Sequence, residues 1–196
     1  LTEAPLYVEY PNEYYDFYLY GIPFTALIAP FAVLPTGVGM IVWCLANNAL
    51  LYYAIRKLEP EKWKFAVILW LSINDLYESV LYNIGIAAMI ILTFVCIEKK
   101  KEFWAALFIM VGLMTKVYGI VGLAFILFSK RRLQLLGGML FWGVVLFFLP
   151  MLYTSPSYVL AEYKEWLDIL LFKNDANTFC YHTNKLRIWL LIVICG

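Results

Sequence analysis

Charge is scarce in this 196-residue chain. Only 15% of its residues are Asp, Glu, Lys or Arg, while 64% are hydrophobic. A soluble domain carries about a quarter charged residues, so an all-round water-exposed surface is excluded. The charges present nearly cancel, leaving a formal net charge of +1. No global basic field exists to hold a nucleic-acid backbone, and no nucleic-acid partner is expected. Histidine occurs once, at His182, and the four cysteines (Cys44, Cys96, Cys180 and Cys195) are scattered without a CxxC pair. That spacing supports neither a zinc site nor a disulfide framework, and no metal is expected. Ten-residue segments with strict apolar–polar alternation are missing too, which argues against a transmembrane β-barrel.

Long apolar runs are abundant. Several approach the roughly 20 residues needed to cross about 30 Å of hydrocarbon. The expected fold class is therefore all-α: a polytopic integral membrane helical bundle with short re-entrant or broken helices. Aromatic residues make up 18% of the chain, which suits membrane interfaces and sugar or polar-lipid cavities alike. The chain starts in a loop-like stretch at Leu1, and 186–196 reads as a span cut short. A fragment of a larger protein, folded as a single transmembrane domain, is the expectation.

Residues 1–20 hold six tyrosines and four acids but no Lys or Arg, as in an outer loop at the membrane surface. Residues 21–35 are apolar but contain Pro23, Pro30 and Pro35. Three prolines in so short a run predict a re-entrant or interfacial helix. Spans and short hairpins fill 36–152. Residues 153–185 read as a second outer loop, and 186–196 as the truncated span.

The basic residues cluster in three short loops, 56–64, 98–102 and 129–132, which hold ten of the fifteen Lys and Arg. Ten of the fourteen acids fall instead in 1–20, 72–79 and 153–185. Short loops rich in Lys and Arg lie on the cytoplasmic side. If the apolar run Phe103–Phe128 were one span, it would place the basic loops at its two ends on opposite faces. Two short helices meeting at Thr115–Lys116 keep both inside. The same logic divides 65–97 at Asn74–Glu78. About twelve helical residues rise only about 18 Å, so such hairpins stop short of the outer surface. Lys116, Asn74, Asp75 and Glu78 would then sit at the outer end of a water-filled recess, where intramembrane ionisable groups usually serve function. The plainer alternatives are that Lys116 snorkels to an interface or pairs with Asp75 or Glu78 as a structural bridge. Asn74 alone would then be helix–helix glue.

A lysine at the base of an outward-facing apolar cavity suits an anion, and a lipid phosphate fits that chemistry. Nearby carboxylates could activate an acceptor hydroxyl as general base, and tyrosines could stack on a sugar face. Short broken helices with polar centres also occur in transporters, and a noncatalytic membrane subunit is a third reading.

Three blocks carry a resemblance. PLYVEYPNEYYDFYLYGIPFTALIAPFAVLP is followed by a Trp-containing span with Asn47 and Asn48. EKKKEFWAALFIMVGLMTKVYGIVGLAFILFSKRR and YKEWLDILLFKNDANTF form the other two. Together they resemble glycosyltransferase family 87. The resemblance implies the GT-C architecture and a polyprenyl-phosphate-linked sugar as donor, typically mannose, with no certain cofactor. It implies sugar transfer to a glycan or glycolipid acceptor on the extracytoplasmic face of a membrane, here expected to be the bacterial plasma membrane. Lys116 and Tyr118 take the family's Lys-x-Tyr positions, and Lys116 is expected to contact the donor phosphate. Asn177 matches an asparagine of the family's large outer loop. His182, in the same loop, could cap a phosphate or orient an acceptor, although a lone loop histidine is more often simply exposed. The superfamily's catalytic acid is expected upstream of Leu1, so no catalytic residue is assigned. Two elements depart from the family pattern. Tyr-Pro-Pro is replaced by Tyr20-Gly21-Ile22-Pro23, and the proline usual after Tyr118 is Gly119.

Overall fold

The computed structural model describes residues 4–8, 18–58, 61, 64, 67, 70 and 82–172, apart from the side chains of Val117 and Tyr118. All regular secondary structure among them is helical. The fold is a membrane helical bundle that holds, among the described residues, a broken hairpin. Two compact units divide the chain. One is Tyr20–Thr154, and the other joins the described parts of 1–19 and 155–196.

In the larger unit, α1 (Pro23–Ala32) opens with Pro23 in its first turn, where a missing N–H costs nothing. Pro35 precedes α2 (Thr36–Leu58), whose last turn carries Arg56 and Lys57. Cations there complement the helix dipole. The buried residues of α2 include Gly39, Trp43, Asn47 and Leu51 at four-residue spacing, followed by Ala54 and Ile55. That stripe defines one helical face. Against it packs α3 (Asn83–Glu98), and Leu51, Ala54, Ile55, Ile84, Ala88 and Leu92 form a core cluster. At 16 residues, α3 rises only about 24 Å.

A tight turn links α3 to α4 (Glu102–Thr115). The Lys101 N–H donates to Cys96 O at 2.8 Å and the Lys100 N–H to Ile97 O at 3.0 Å. Lys100 sits between them at φ 55, in the left-handed position that a helix C-terminus normally gives to glycine. A lysine there costs about 1 kcal/mol. After Lys116 the chain returns as a 3-10 segment, Val117–Ala124, and a short α5, Phe125–Phe128. Then follow α6 (Arg132–Phe148) and a 3-10 turn, Leu149–Leu152. Ala105, Ala106 and Ile109 of α4 pack with Leu135 of α6 in a second core cluster.

The return arm lies antiparallel to α4. Gly119 abuts the Gly112 backbone, Gly122 abuts Ile109, and Leu123 and Ile126 pack on the cluster nearest the start of α4. The pairings move backward along one arm as they advance along the other, as in a hairpin. The run Phe103–Phe128 is thus interrupted at Lys116, as its flanking charges predict. Its second half is mostly 3-10 rather than α.

Thr36–Leu58 and Arg132–Leu152 are long and apolar enough to cross a membrane. The outer face of α6 fits lipid: Leu133 and Leu140 are 86% and 72% exposed, with Leu136, Phe141 and Val144 beside them. Polar side chains inside the apolar helices turn back on their own backbone. Thr93 Oγ1 donates to Met89 O at 2.8 Å, Asn47 Nδ2 to Trp43 O at 3.0 Å and Asn48 Nδ2 to Cys44 O at 2.9 Å. That satisfies donors that hydrocarbon cannot.

In the second unit, the stretch read as loop from sequence contains a helix, α7, over 156–172. Ser155-Pro156 starts it, with the Val159 N–H donating to Ser155 O at 3.1 Å. Three side chains at four-residue spacing hold the N-terminal segment. Tyr158 Oη donates to Ala4 O at 2.6 Å, Glu162 Oε2 accepts the Leu6 N–H at 3.1 Å, and Trp166 Nε1 donates to Leu19 O at 3.2 Å. Glu162 is only 4% exposed. Burial pushes its carboxyl above the usual value, opposed by the Leu6 hydrogen bond and reinforced by Glu165.

Two predictions follow from this packing. A methyl at Gly119 would collide with the Gly112 backbone, whereas one at Gly112 would meet Gly119 Cα at 3.6 Å. Gly119→Ala is therefore expected to cost about 3 kcal/mol, and Gly112→Ala less than about 1 kcal/mol. Equal shifts in thermal unfolding of the two full-length variants would contradict the hairpin packing. The second concerns Glu162, whose folded-state pKa is raised. Its contribution to stability is greatest below the unfolded value of about 4.3 and declines as pH rises through the folded value. Glu162→Gln keeps an acceptor for Leu6 without the charge. Hydrogen exchange at the Leu6 amide should then lose the part of its pH dependence that lies above the unfolded value. A Gln variant less protected than wild type at neutral pH would refute the burial argument.

Candidate functional site

A helix that stops inside a bundle leaves its last carbonyls without partners. At the end of α4 they are met by neighbouring backbone. The Gly21 N–H donates to Thr115 O at 3.0 Å, the Gly119 N–H to Lys116 O at 2.8 Å, and the Lys116 N–H to Gly112 O at 3.0 Å. Thr115 Oγ1 donates back to Val111 O at 2.7 Å. Lys116 itself is extended, at φ −150 and ψ 131, so its side chain leaves the helical path at the tip of the hairpin.

The Lys116 ammonium hydrogen-bonds to Asn83 Oδ1. It also lies 5.3 Å from the centre of the Tyr20 ring, within cation–π range. Asn83 is the first residue of α3. Tyr82 before it has φ 60 and ψ 10, a left-handed conformation that is uncommon for a bulky residue. Packing holds it there. Tyr82 is 3% exposed, with ring centres 5.3 Å from both Phe24 and Trp43. Its ring folds over Gly85, where any side chain would strike it and lie 2.7 Å from Asn47 Oδ1. Tyr20 stacks on Phe24 at 4.4 Å with 17° between the planes. The ammonium therefore has an amide oxygen and an aromatic face as fixed neighbours, from α3 and from the segment leading into α1.

Of the residues singled out from sequence, Lys116 is at the centre of this arrangement. Tyr118 lies two residues on, in the 3-10 segment; its side chain lies outside the described residues. Asn74, Asp75, Glu78, Asn177 and His182 also lie outside them. Asn83, Tyr82 and Gly85 were not singled out, although a polar residue opening an apolar helix, in LYNIG, was a usable signal. No three potential metal ligands come together among the described residues.

A phosphate needs a compact cation and donors held in place. The break in α4 thus places a cation between an amide oxygen and an aromatic ring. The chain belongs to glycosyltransferase family 87, which it matches over residues 18–189. That span takes in Tyr20, Asn83 and Lys116. Neither the curated proteins nor the solved structures yield a match.

Gly85→Ala is expected to unseat Tyr82 and with it Asn83. The full-length variant should unfold several degrees below wild type, by about 1–3 kcal/mol, and lose near-ultraviolet aromatic circular dichroism. Tyr82→Phe should keep both signals. An Ala variant indistinguishable from wild type would show that the ring does not depend on that glycine.

Proposed function

We propose that the protein transfers a mannose-like hexose from a polyprenyl-phosphate donor to a hydroxyl of a glycan or glycolipid. In this reading Lys116 binds the donor phosphate, on the extracytoplasmic side of a bacterial plasma membrane. The observation that carries it is the chain break that presents the Lys116 ammonium beside Asn83 and Tyr20. A half-depth hairpin with both basic loops at its base points its tip away from the cytoplasm. The prenyl tail would stay in hydrocarbon while the phosphate reaches the tip.

In the reaction, the acceptor oxygen attacks the anomeric carbon, the bond from that carbon to the phosphate oxygen breaks, and polyprenyl phosphate leaves. One direct displacement inverts the anomeric centre. The acceptor proton passes to a carboxylate, with Asp75 and Glu78 as candidates to assist. The ammonium opposes the charge that grows on the departing phosphate, so its effect is larger in the transition state than in the ground state. Tyr20, Tyr118, Asn74, Asn177 and His182 are candidates for contacts to donor or acceptor.

The test uses the full chain in lipid with a polyprenyl-phosphate hexose and a hydroxyl acceptor. Lys116→Ala should lower kcat/KM by about 10²–10³-fold, and Lys116→Arg should recover part of it. Unchanged turnover and donor affinity in Lys116→Ala would remove the assignment.

A further inference from the structure

The opposite end of the hairpin holds a charged cavity, of ≈ 280 Å³, between the α3–α4 turn and the α5–α6 turn. Lys100, Lys130 and Arg131 line it together with Glu98 and Glu102, and Ile97 and Phe128 form its apolar walls. Lys99, Lys101 and Arg132 flank these cations and are exposed. Six basic residues thus surround two carboxylates, and the local balance is positive. We propose that this cavity binds the phosphate headgroup of an anionic membrane phospholipid.

Three observations favour a lipid over a soluble anion. The cavity, at ≈ 280 Å³, lies at the low end of the roughly 300–1,000 Å³ of small-molecule pockets, with room for a headgroup. Its rim continues into bare apolar surface: Leu127, Phe128 and Leu133 are 70%, 74% and 86% exposed, where acyl chains would lie. Basic pockets between spans beside such surface suit lipid headgroups. The third is the strain at Lys100. This residue occupies a left-handed turn position, φ 55, that glycine fills without cost. A lysine held there at an energetic penalty, with its side chain lining the cavity, points to a use for its charge.

The site lies at the other end of α4 from Lys116 and does not depend on the donor-phosphate reading. The test compares phosphatidylglycerol with phosphatidylcholine on the purified full chain in neutral detergent, by thermal unfolding and by native mass spectrometry. Phosphatidylglycerol should stabilise the wild type and bind about tenfold or more tightly than phosphatidylcholine. The Lys130→Ala/Arg131→Ala double variant should lose that preference. Lys100→Gly should weaken phosphatidylglycerol binding while leaving lipid-free unfolding unchanged or raised, because the turn strain is relieved. Lys116→Ala should bind phosphatidylglycerol as wild type does. Equal binding of the two lipids would overturn the proposal. So would protection by inorganic phosphate alone, a Lys100→Gly variant less stable without lipid, or loss of phosphatidylglycerol binding in Lys116→Ala.

Discussion

A helix interrupted within hydrocarbon must find new partners for its backbone, because no water is there to supply them. The same need arises at the end of α4, where Thr115 is buried within the bundle. The carbonyls of Thr115 and Lys116 take the N–H groups of Gly21 and Gly119, and the two arms come close because Gly119 has no side chain against Gly112. The arms also match in length. The 14 residues of α4 rise about 21 Å. The return arm has eight 3-10 and four α residues, rising about 22 Å at roughly 2.0 and 1.5 Å per residue. Twelve residues of pure α-helix would rise only about 18 Å. The steeper 3-10 stretch makes up the difference, so both basic loops stay level while Lys116 caps the tip.

Where the ammonium rests is decided by other elements. Phe24 of α1, Trp43 of α2 and Tyr82 ahead of α3 form one aromatic cluster. Tyr20 stacks on its edge, and Asn83 follows Tyr82 directly. A ring buried on this scale contributes more than the strain of one left-handed residue removes. The cluster can therefore hold Tyr82 in a conformation it would not adopt alone. The amide oxygen and aromatic face beside Lys116 are thus set by the packing of this cluster.

Much of this was legible in the sequence, because membrane sidedness is written in charge. Three Lys at 99–101 and the Lys-Arg-Arg at 130–132 cannot lie at opposite ends of one span without breaking the positive-inside tendency, so a reversal near Lys116 follows. The 3-10 geometry was not legible, because it answers a length mismatch that exists only once α4 has formed. Asn83 was passed over because it reads as the start of an apolar span, and its role depends on a turn angle at Tyr82. Helix α7 was missed because a polar stretch between spans reads as loop, although Ser155-Pro156 is a helix-start signal. The spacing of Tyr158, Glu162 and Trp166 gains meaning only once Ala4, Leu6 and Leu19 lie opposite.

Gly21 and Gly119, which the resemblance sets apart, meet at one place in the structure. The pattern that the resemblance implies would put proline after Tyr20 and after Tyr118, and this chain has Gly21 and Gly119. Proline has no N–H. Here the N–H of Gly21 goes to Thr115 O and that of Gly119 goes to Lys116 O, on consecutive carbonyls at the hairpin tip. Neither bond could form with proline, and a proline at 119 would also strike the Gly112 backbone. The two glycines place hydrogen bonds on the carbonyls on either side of the Lys116 α-carbon. Seen separately, each removes a rigid element from the neighbourhood of the site. Together they satisfy the two consecutive carbonyls that a chain break at Lys116 leaves without helical partners.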